Sequence, residues 1–329
     1  MSDFRTILPL QKSSLSIDYQ SPVLCIGSCF TENIGQRLLH YKFSALLNPF
    51  GILYNPISIQ NSLAQLLNGQ PYTKEDLFFH QDLWHSFNHH GAFSNPNQSG
   101  MLANINSRLK EGQLFLKKTK VLILTFGTSN VFLKKSTGNI VANCHKIPNT
   151  AFEKKRLTIQ EIVEGLTPVL KQLKAINPEL EIIFTVSPVR HLKDGLLENQ
   201  RSKATLLLAM EALAQQFSFA HYFPAYELVM DDLRDYRFFE KDMAHPNELA
   251  IDYIWKAFQT TYFSDSTKAI FKQVKKVVQA SLHRPFHPQT PTHQQFVKKQ
   301  LEKIELLEQQ YSFFKLTKER DLFQTQLIK

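Results

Sequence analysis

Three residues of this chain have types and settings that could do nucleophilic chemistry: Ser28, Asp242 and His245. Ser28 lies in Gly27-Ser28-Cys29-Phe30, where the apolar run from Pro22 to Gly27 ends and a helical pattern begins. In open α/β sheets, reactive groups collect in the crevice at the carboxyl ends of strands. A helix starting there adds unpaired N–H groups and a positive dipole end, both suited to a forming oxyanion. A serine hydroxyl is a weak nucleophile at neutral pH and needs a base. Asp242-Met243-Ala244-His245-Pro246, just ahead of the last helix of the α/β region, offers one. Pro246 suits the first position of a helix, which puts His245 at or near the N-cap. Asp242 can then hold one ring nitrogen while the other faces the hydroxyl. Each piece has a plainer reading too. Serine is a frequent helix N-cap, and a bare Asp-x-x-His pair is common on surfaces.

Two other segments sit where an oxyanion hole would need donors. Gly51, in Asn48-Pro49-Phe50-Gly51, could let a backbone N–H approach a ligand. Asn130, in Phe126-Gly127-Thr128-Ser129-Asn130, could offer a side-chain amide. Both segments read equally well as polar turns. Cys29, and Cys144 with His145, form a rival constellation, a thiol with its base or part of a metal site. No CxxC pair accompanies them and no metal is expected; Cys29 is expected in the core, where free cysteine is common. His85 belongs to a loop cluster with His89 and His90, and Arg190 and His191 close a later apolar run. His85, Asn143, His145, Arg190 and His191 are therefore candidates for substrate binding.

The elements that must position these residues follow from periodicity. Phe30 to His40 has one apolar helical face, and Phe43 to Leu47 reads as a strand. Val121 to Phe126 and Glu181 to Val186 are buried-strand runs, and Phe219 to Phe223 is a shorter one. Helices are expected over 57–67, 104–116, 202–216 and 247–262, and behind the Thr158 and Glu161 capping box, with Pro168 as a kink. Val131–Leu133 and Ile140–Ala142 flank a hairpin turn. Residues 70–100 read as an inserted loop region. Strands alternating with helices, several apolar throughout, predict a mostly parallel sheet covered on both faces. After Phe263 only helical stripes remain, so the chain divides into an α/β domain over 1–263 and a helical extension over 264–329.

These motifs together resemble the GSCFA-domain family. Gly27-Ser28-Cys29-Phe30-Thr31 looks like its signature, with Thr31 in place of alanine. The resemblance continues through Asn48-Pro49-Phe50-Gly51, Asn143-Cys144-His145-Lys146, Ser187-Pro188-Val189-Arg190-His191 and Asp242-Met243-Ala244-His245-Pro246. GSCFA proteins are similar to the SGNH, or GDSL-type, hydrolases. That resemblance implies a three-layer α/β/α, flavodoxin-like fold and an esterase using Ser28 as nucleophile, His245 as base and Asp242 as its orienter. It implies an oxyanion hole from the Ser28 N–H, the Gly51 N–H and an asparagine. The superfamily spacing puts that asparagine at position 129, where Ser129 stands, so Asn130 is the expected donor and Asn143 the fallback. A non-catalytic binding protein that has lost this asparagine is the alternative.

Composition narrows the partners. The 329 residues are 43% hydrophobic and 20% charged, with 26 Phe and a net charge of +9. Twelve Lys/Arg against six Asp/Glu fall from Ser264 onward, on helical faces rather than in a basic block. A solvated face is expected there, not a nucleic-acid site. No run approaches a membrane span, and no leader pattern opens the chain. Three cysteines without a leader suggest reduced thiols in the cytoplasm. The expected substrate is a small-molecule or saccharide ester, such as an acetylated carbohydrate, with no cofactor. The C-terminal helices are candidates for a homo-oligomer contact.

Overall fold

The computed structural model describes residues 6–328; Met1–Arg5, at the start of the stretch read above for a leader, and Lys329 lie outside it. The first half runs β1 (Val23–Gly27), α1 (Cys29–His40), β2 (Ala45–Leu47), α2 (Pro56–Asn68), β3 (Phe78–His80), β4 (Leu83–His85), α3 (Gln98–Leu116) and β5 (Val121–Phe126). There follow β6 (Asn130–Lys134), β7 (Ile140–Val141), β8 (Phe152–Arg156), α4 (Ile159–Ile176), β9 (Glu181–Val186), α5 (Leu196–Gln216), β10 (Ala220–Tyr222) and α6 (Ala225–Glu227). Four helices finish the chain: α7 (Glu248–Tyr262), α8 (Asp265–Ser281), α9 (Pro291–Gln310) and α10 (Thr317–Gln324).

The central sheet has five strands in the order β2-β1-β5-β9-β10, every neighbouring pair parallel. Counting only these strands, the order is 2-1-3-4-5, the flavodoxin-like arrangement, which reverses direction between β1 and β5. Period-two alternation divides the side chains. Leu24, Ile26, Leu122 and Leu124 face a core shared with α2 to α5. Val23, Cys25, Val121 and Ile123 face a second core with α1 and α7. Helices thus cover both faces, giving the expected three-layer α/β/α architecture. The Thr158–Glu161 capping box forms, and α4 runs on through Pro168.

The stretch around 70–100 holds more order than a loop. β3 and β4 form a hairpin whose two turn residues, Gln81 and Asp82, both have positive φ. That is the twist a two-residue hairpin requires. β6 pairs with β7 as expected and also with β8, whose Phe-Glu-Lys-Lys-Arg sequence carries no apolar alternation because its face is exposed.

α8, α9 and α10 do not stand apart. Val274, Val277, Val278, Val297 and Ile304 share the second core with Phe30, Leu38, Trp255 and Phe258. Glu319 on α10 is 3% exposed and pairs with Lys42 at 2.7 Å, just after α1. Among the described residues no helix is long and apolar enough to cross a membrane. Breaking a buried ion pair by removing one charge typically costs about 3–5 kcal/mol. Glu319→Gln should accordingly lower the urea midpoint of the whole chain in one transition. Separate melting of the C-terminal helices would show instead that they are an independent unit.

Candidate functional site

Ser28 follows the last residue of β1, at the switch point between β1 and β5. Gly27 makes the turn, with φ +147° and so little room that a Cβ would lie 2.2 Å from the Thr125 carbonyl oxygen. Ser28 takes the N-cap position of α1, yet its side chain makes no capping hydrogen bond. Its hydroxyl is buried and unpartnered. The simple N-cap role is thus not what this serine performs.

Asp242 and His245 form the expected pair. The imidazole Nδ1 lies 2.6 Å from Asp242 Oδ2, while Asp242 Oδ1 accepts the N–H groups of Ala244 and His245 at 2.9 and 3.0 Å. These donors hold the Asp242 carboxyl down at about 2, so it is ionised at neutral pH. The tight turn places Met243 at φ +56°. Pro246 is not the first helical residue. It bridges to Phe239, and Asn247 caps α7 through a bond to the Ala250 N–H. The helix start is two residues later than the proline rule suggests, since Asn247 caps well.

The two halves share one rim of the sheet. The Arg190 N–H, after β9, donates to the Ala244 carbonyl at 3.2 Å. His191 feels the charges of both Lys203 and His245, and Lys203 in turn interacts with Cys29, next to Ser28. No hydrogen bond joins Ser28 to His245 in this structure. Catalytic hydrogen bonds are often long without substrate and tighten only in the complex.

The expected oxyanion donors are occupied. The Ser28 N–H donates to Thr125 O at 3.1 Å, and the Gly51 N–H to Asn48 O at 2.8 Å. The Asn130 amide donates to Asp194 at 3.1 Å, away from the serine. Asn143, the fallback, accepts the His145 N–H through its side-chain oxygen, a bond that does not involve its amide donor. The donor that sequence reasoning passed over is Asn48. Its Oδ1 takes the Gly27 N–H at 2.9 Å, and its Nδ2 is buried without a partner. Its signal was in plain view, an asparagine heading the Asn48-Pro49-Phe50-Gly51 turn, and its φ of +42° is a conformation asparagine tolerates.

The GSCFA family model matches residues 22–258, and the model of the GSCFA domain protein, C-terminal domain, matches residues 274–329. The chain belongs to the GSCFA family. No curated protein matches it. A solved structure described as a candidate platelet activating factor from Streptococcus pneumonia is 12% identical, with 73% of this chain and 83% of that one covered at a TM-score of 0.37. A likeness that loose bears on neither fold nor function.

In this GSCFA protein the remaining candidates separate. His191 is partly buried, its ring edge-on to Tyr54 at 5.5 Å, and desolvation with the Lys203 charge pushes it down to about 4. Arg190 stacks its guanidinium 4.9 Å from the Phe239 ring and 5.9 Å from Tyr236, which anchors the segment carrying Asp242. His85 and His145 are corrections. His85 spends both nitrogens on Ser94 Oγ and the His80 carbonyl, and His145 Nε2 meets the Ser86 carbonyl at 2.8 Å. Their rings pack 4.5 Å apart as core of the inserted lobe, so neither is free for substrate. Cys29 is also a correction, being only partly buried, with its sulfur against the N–H groups of Cys29 and Phe30. No cluster that could hold a metal occurs among the described residues.

Three imidazoles are thus held neutral: burial takes His89 down to about 3 and His145 and His191 to about 4. The unfolded chain binds these protons from about pH 6.5 downward, the folded chain only nearer pH 4 or below. In that window the unfolded state carries more protons, so stability rises with pH and falls on acidification. Urea midpoints should drop steadily from pH 7 to pH 4.5, with the His191 ring signal in proton NMR unchanged until close to pH 4. A His191 midpoint near 6.5 would contradict the burial argument.

Proposed function

We propose that this protein is a serine hydrolase of carboxylic esters, with Ser28 as nucleophile, His245 as general base and Asp242 as the group that orients and charges it. The observation that carries the reading is the Ser28 hydroxyl, released from capping at the carboxyl end of β1 on the rim that bears the Asp242–His245 pair. In the reaction, Ser28 Oγ forms a bond to the ester carbonyl carbon and its proton passes to His245 Nε2. The carbonyl electrons become an oxyanion. Collapse breaks the bond to the alkoxy oxygen, which leaves with that proton, and water repeats the sequence on the acyl-enzyme. Asp242 stays ionised throughout and favours the imidazolium.

With the three expected donors engaged, the oxyanion falls to the Asn48 amide. Asn48 also lines a cavity of about 600 Å³ with Glu32, Gly51, His90, Asn104 and Arg108. Ser28, Asp242 and His245 are not among its lining residues, so it adjoins the Asn48 side of the site; our preferred substrate class is a small acyl group on a carbohydrate. That preference draws on the likeness of the Ser28 and Asp242-to-His245 motifs to SGNH hydrolases.

A second reading makes Cys29 the nucleophile. Its sulfur faces two backbone N–H groups and the Lys203 charge, both of which favour a thiolate, but burial outweighs them and raises the thiol. A neutral thiol at pH 7 supports serine over cysteine.

Turnover of p-nitrophenyl acetate and labelling by a fluorophosphonate test the proposal. Ser28→Ala should lose about 10³-fold or more in kcat and all labelling, while Cys29→Ser keeps both. The reverse pattern would move the chemistry to the thiol. Asn48→Asp keeps the acceptor for Gly27 and loses the amide donor, and should cost about 10²-fold in kcat; an unchanged kcat would return the oxyanion to other donors.

A further inference from the structure

Lys203 is a buried charge that the reaction above does not use. It sits on α5, 1% exposed, on the helix face that carries Leu206, Met210 and Leu213 into the core. Its ammonium donates to the Gly127 and Ser187 carbonyls, both at 2.6 Å. These carbonyls follow the last residues of β5 and β9, so one side chain ties together the strand ends beside Ser28.

Lysine is almost never fully buried without a partner of opposite charge, because desolvating an ammonium is costly. Here both acceptors are neutral, and among the described residues no carboxylate forms an ion pair with it. The titratable groups that face it are Cys29 from α1, His191 from the loop after β9, and Tyr226 from α6, whose ring centre is 6.0 Å away. His191 is neutral and burial raises the tyrosine, so neither answers the charge. Two N–H groups of the ammonium are spent on carbonyls, and among the described residues no third hydrogen bond is formed. Burial pushes Lys203 down to about 7, with Cys29 acting in the opposite direction. An anion arriving near Cys29 would therefore draw a proton onto this amine and be stabilised by it.

We propose that Lys203 is a positioning residue that holds the ends of β5 and β9 together and supplies the counter-charge for an anion at the Ser28–Cys29 strand end. The anions are the oxyanion of acyl transfer and the small carboxylate released from it. The inference rests on the Ser28 hydrolase reading. No bond is made to the lysine; its field acts on the electron pair displaced to the carbonyl oxygen while the Ser28 proton goes to His245.

The test compares wild type, Lys203→Met and Lys203→Arg on p-nitrophenyl acetate from pH 5 to 9.5, with fluorophosphonate labelling of Ser28 in parallel. Wild-type kcat should fall on the alkaline side as the lysine loses its proton. Lys203→Met should lose about 10²-fold in kcat, with KM changed by less than about threefold, and should lack the alkaline limb. Lys203→Arg, charged at every pH used, should recover part of the rate and also lack the limb. A Lys203→Met enzyme with wild-type kcat and an unchanged alkaline limb overturns the proposal while leaving Ser28 in place. A wild type that is neither active nor labelled at Ser28 removes the hydrolase reading and this inference with it. Should Lys203→Met fail to fold, acetate binding to His245→Gln, followed by thermal shift, decides. Affinity that weakens about tenfold between pH 7 and 9 supports the counter-charge, and a pH-independent affinity rejects it.

Discussion

The site depends on one close approach, the backbone of Gly27 against the Thr125 carbonyl. Parallel pairing of β1 with β5 brings Gly27 opposite Thr125, and any side chain there would collide with the neighbouring strand. The same Thr125 oxygen accepts the Ser28 N–H, so the residue after the glycine is held as tightly as the strand itself. From the other flank, the Asn48 side chain extends the β2 ladder by one more bond, to the Gly27 N–H. Ser28 is thereby fixed between two strands before α1 begins. This arrangement also sets its own chemical constraint. A backbone N–H spent on holding the strand cannot point at an oxyanion, so charge stabilisation has to come from side chains.

Much of this was readable from residue order. β1, β5 and β9 announce themselves as largely apolar runs because both faces are covered, and the Thr158 capping box forms as expected. Asp242 and His245 meet because three residues on one turn keep them within reach. What stayed hidden depends on contacts between distant segments. Asn130 lies one position beyond the usual asparagine, and that single step directs its amide to Asp194. β8 could not be read because only one of its residues is buried. Lys203 left a usable trace, since it falls in the helical register of Leu206, Met210 and Leu213, where a lysine is out of place.

The histidines show why residue type alone misleads. His85, His89 and His145 cluster in the inserted lobe and look like ligands on paper. In the fold both His85 nitrogens meet Ser94 and the His80 carbonyl, His145 Nε2 meets the Ser86 carbonyl and His89 Nδ1 meets Ser86 Oγ, while the rings pack among Phe78, Phe87 and Phe93. An imidazole that satisfies its nitrogens locally is a compact aromatic core residue with two polar tethers. His245 differs in a physical way: half its side chain is exposed, one nitrogen is bound to a carboxylate, and the other is left over.

The charges on the rim complete the picture. Asp242 is anionic at neutral pH, held by two backbone N–H groups and one imidazole, and it lies at the surface. Lys203 lies at the bottom, with neutral His191 interacting with both it and His245. At an effective dielectric constant of ~20, a unit charge about 8 Å away still contributes about 2 kcal/mol. A buried lysine therefore need not touch the reacting carbonyl to favour negative charge there. In the proposed reaction, the proton leaving Ser28 moves outward toward Asp242 while the negative charge develops inward toward Lys203. The two fixed groups favour opposite halves of the same charge separation.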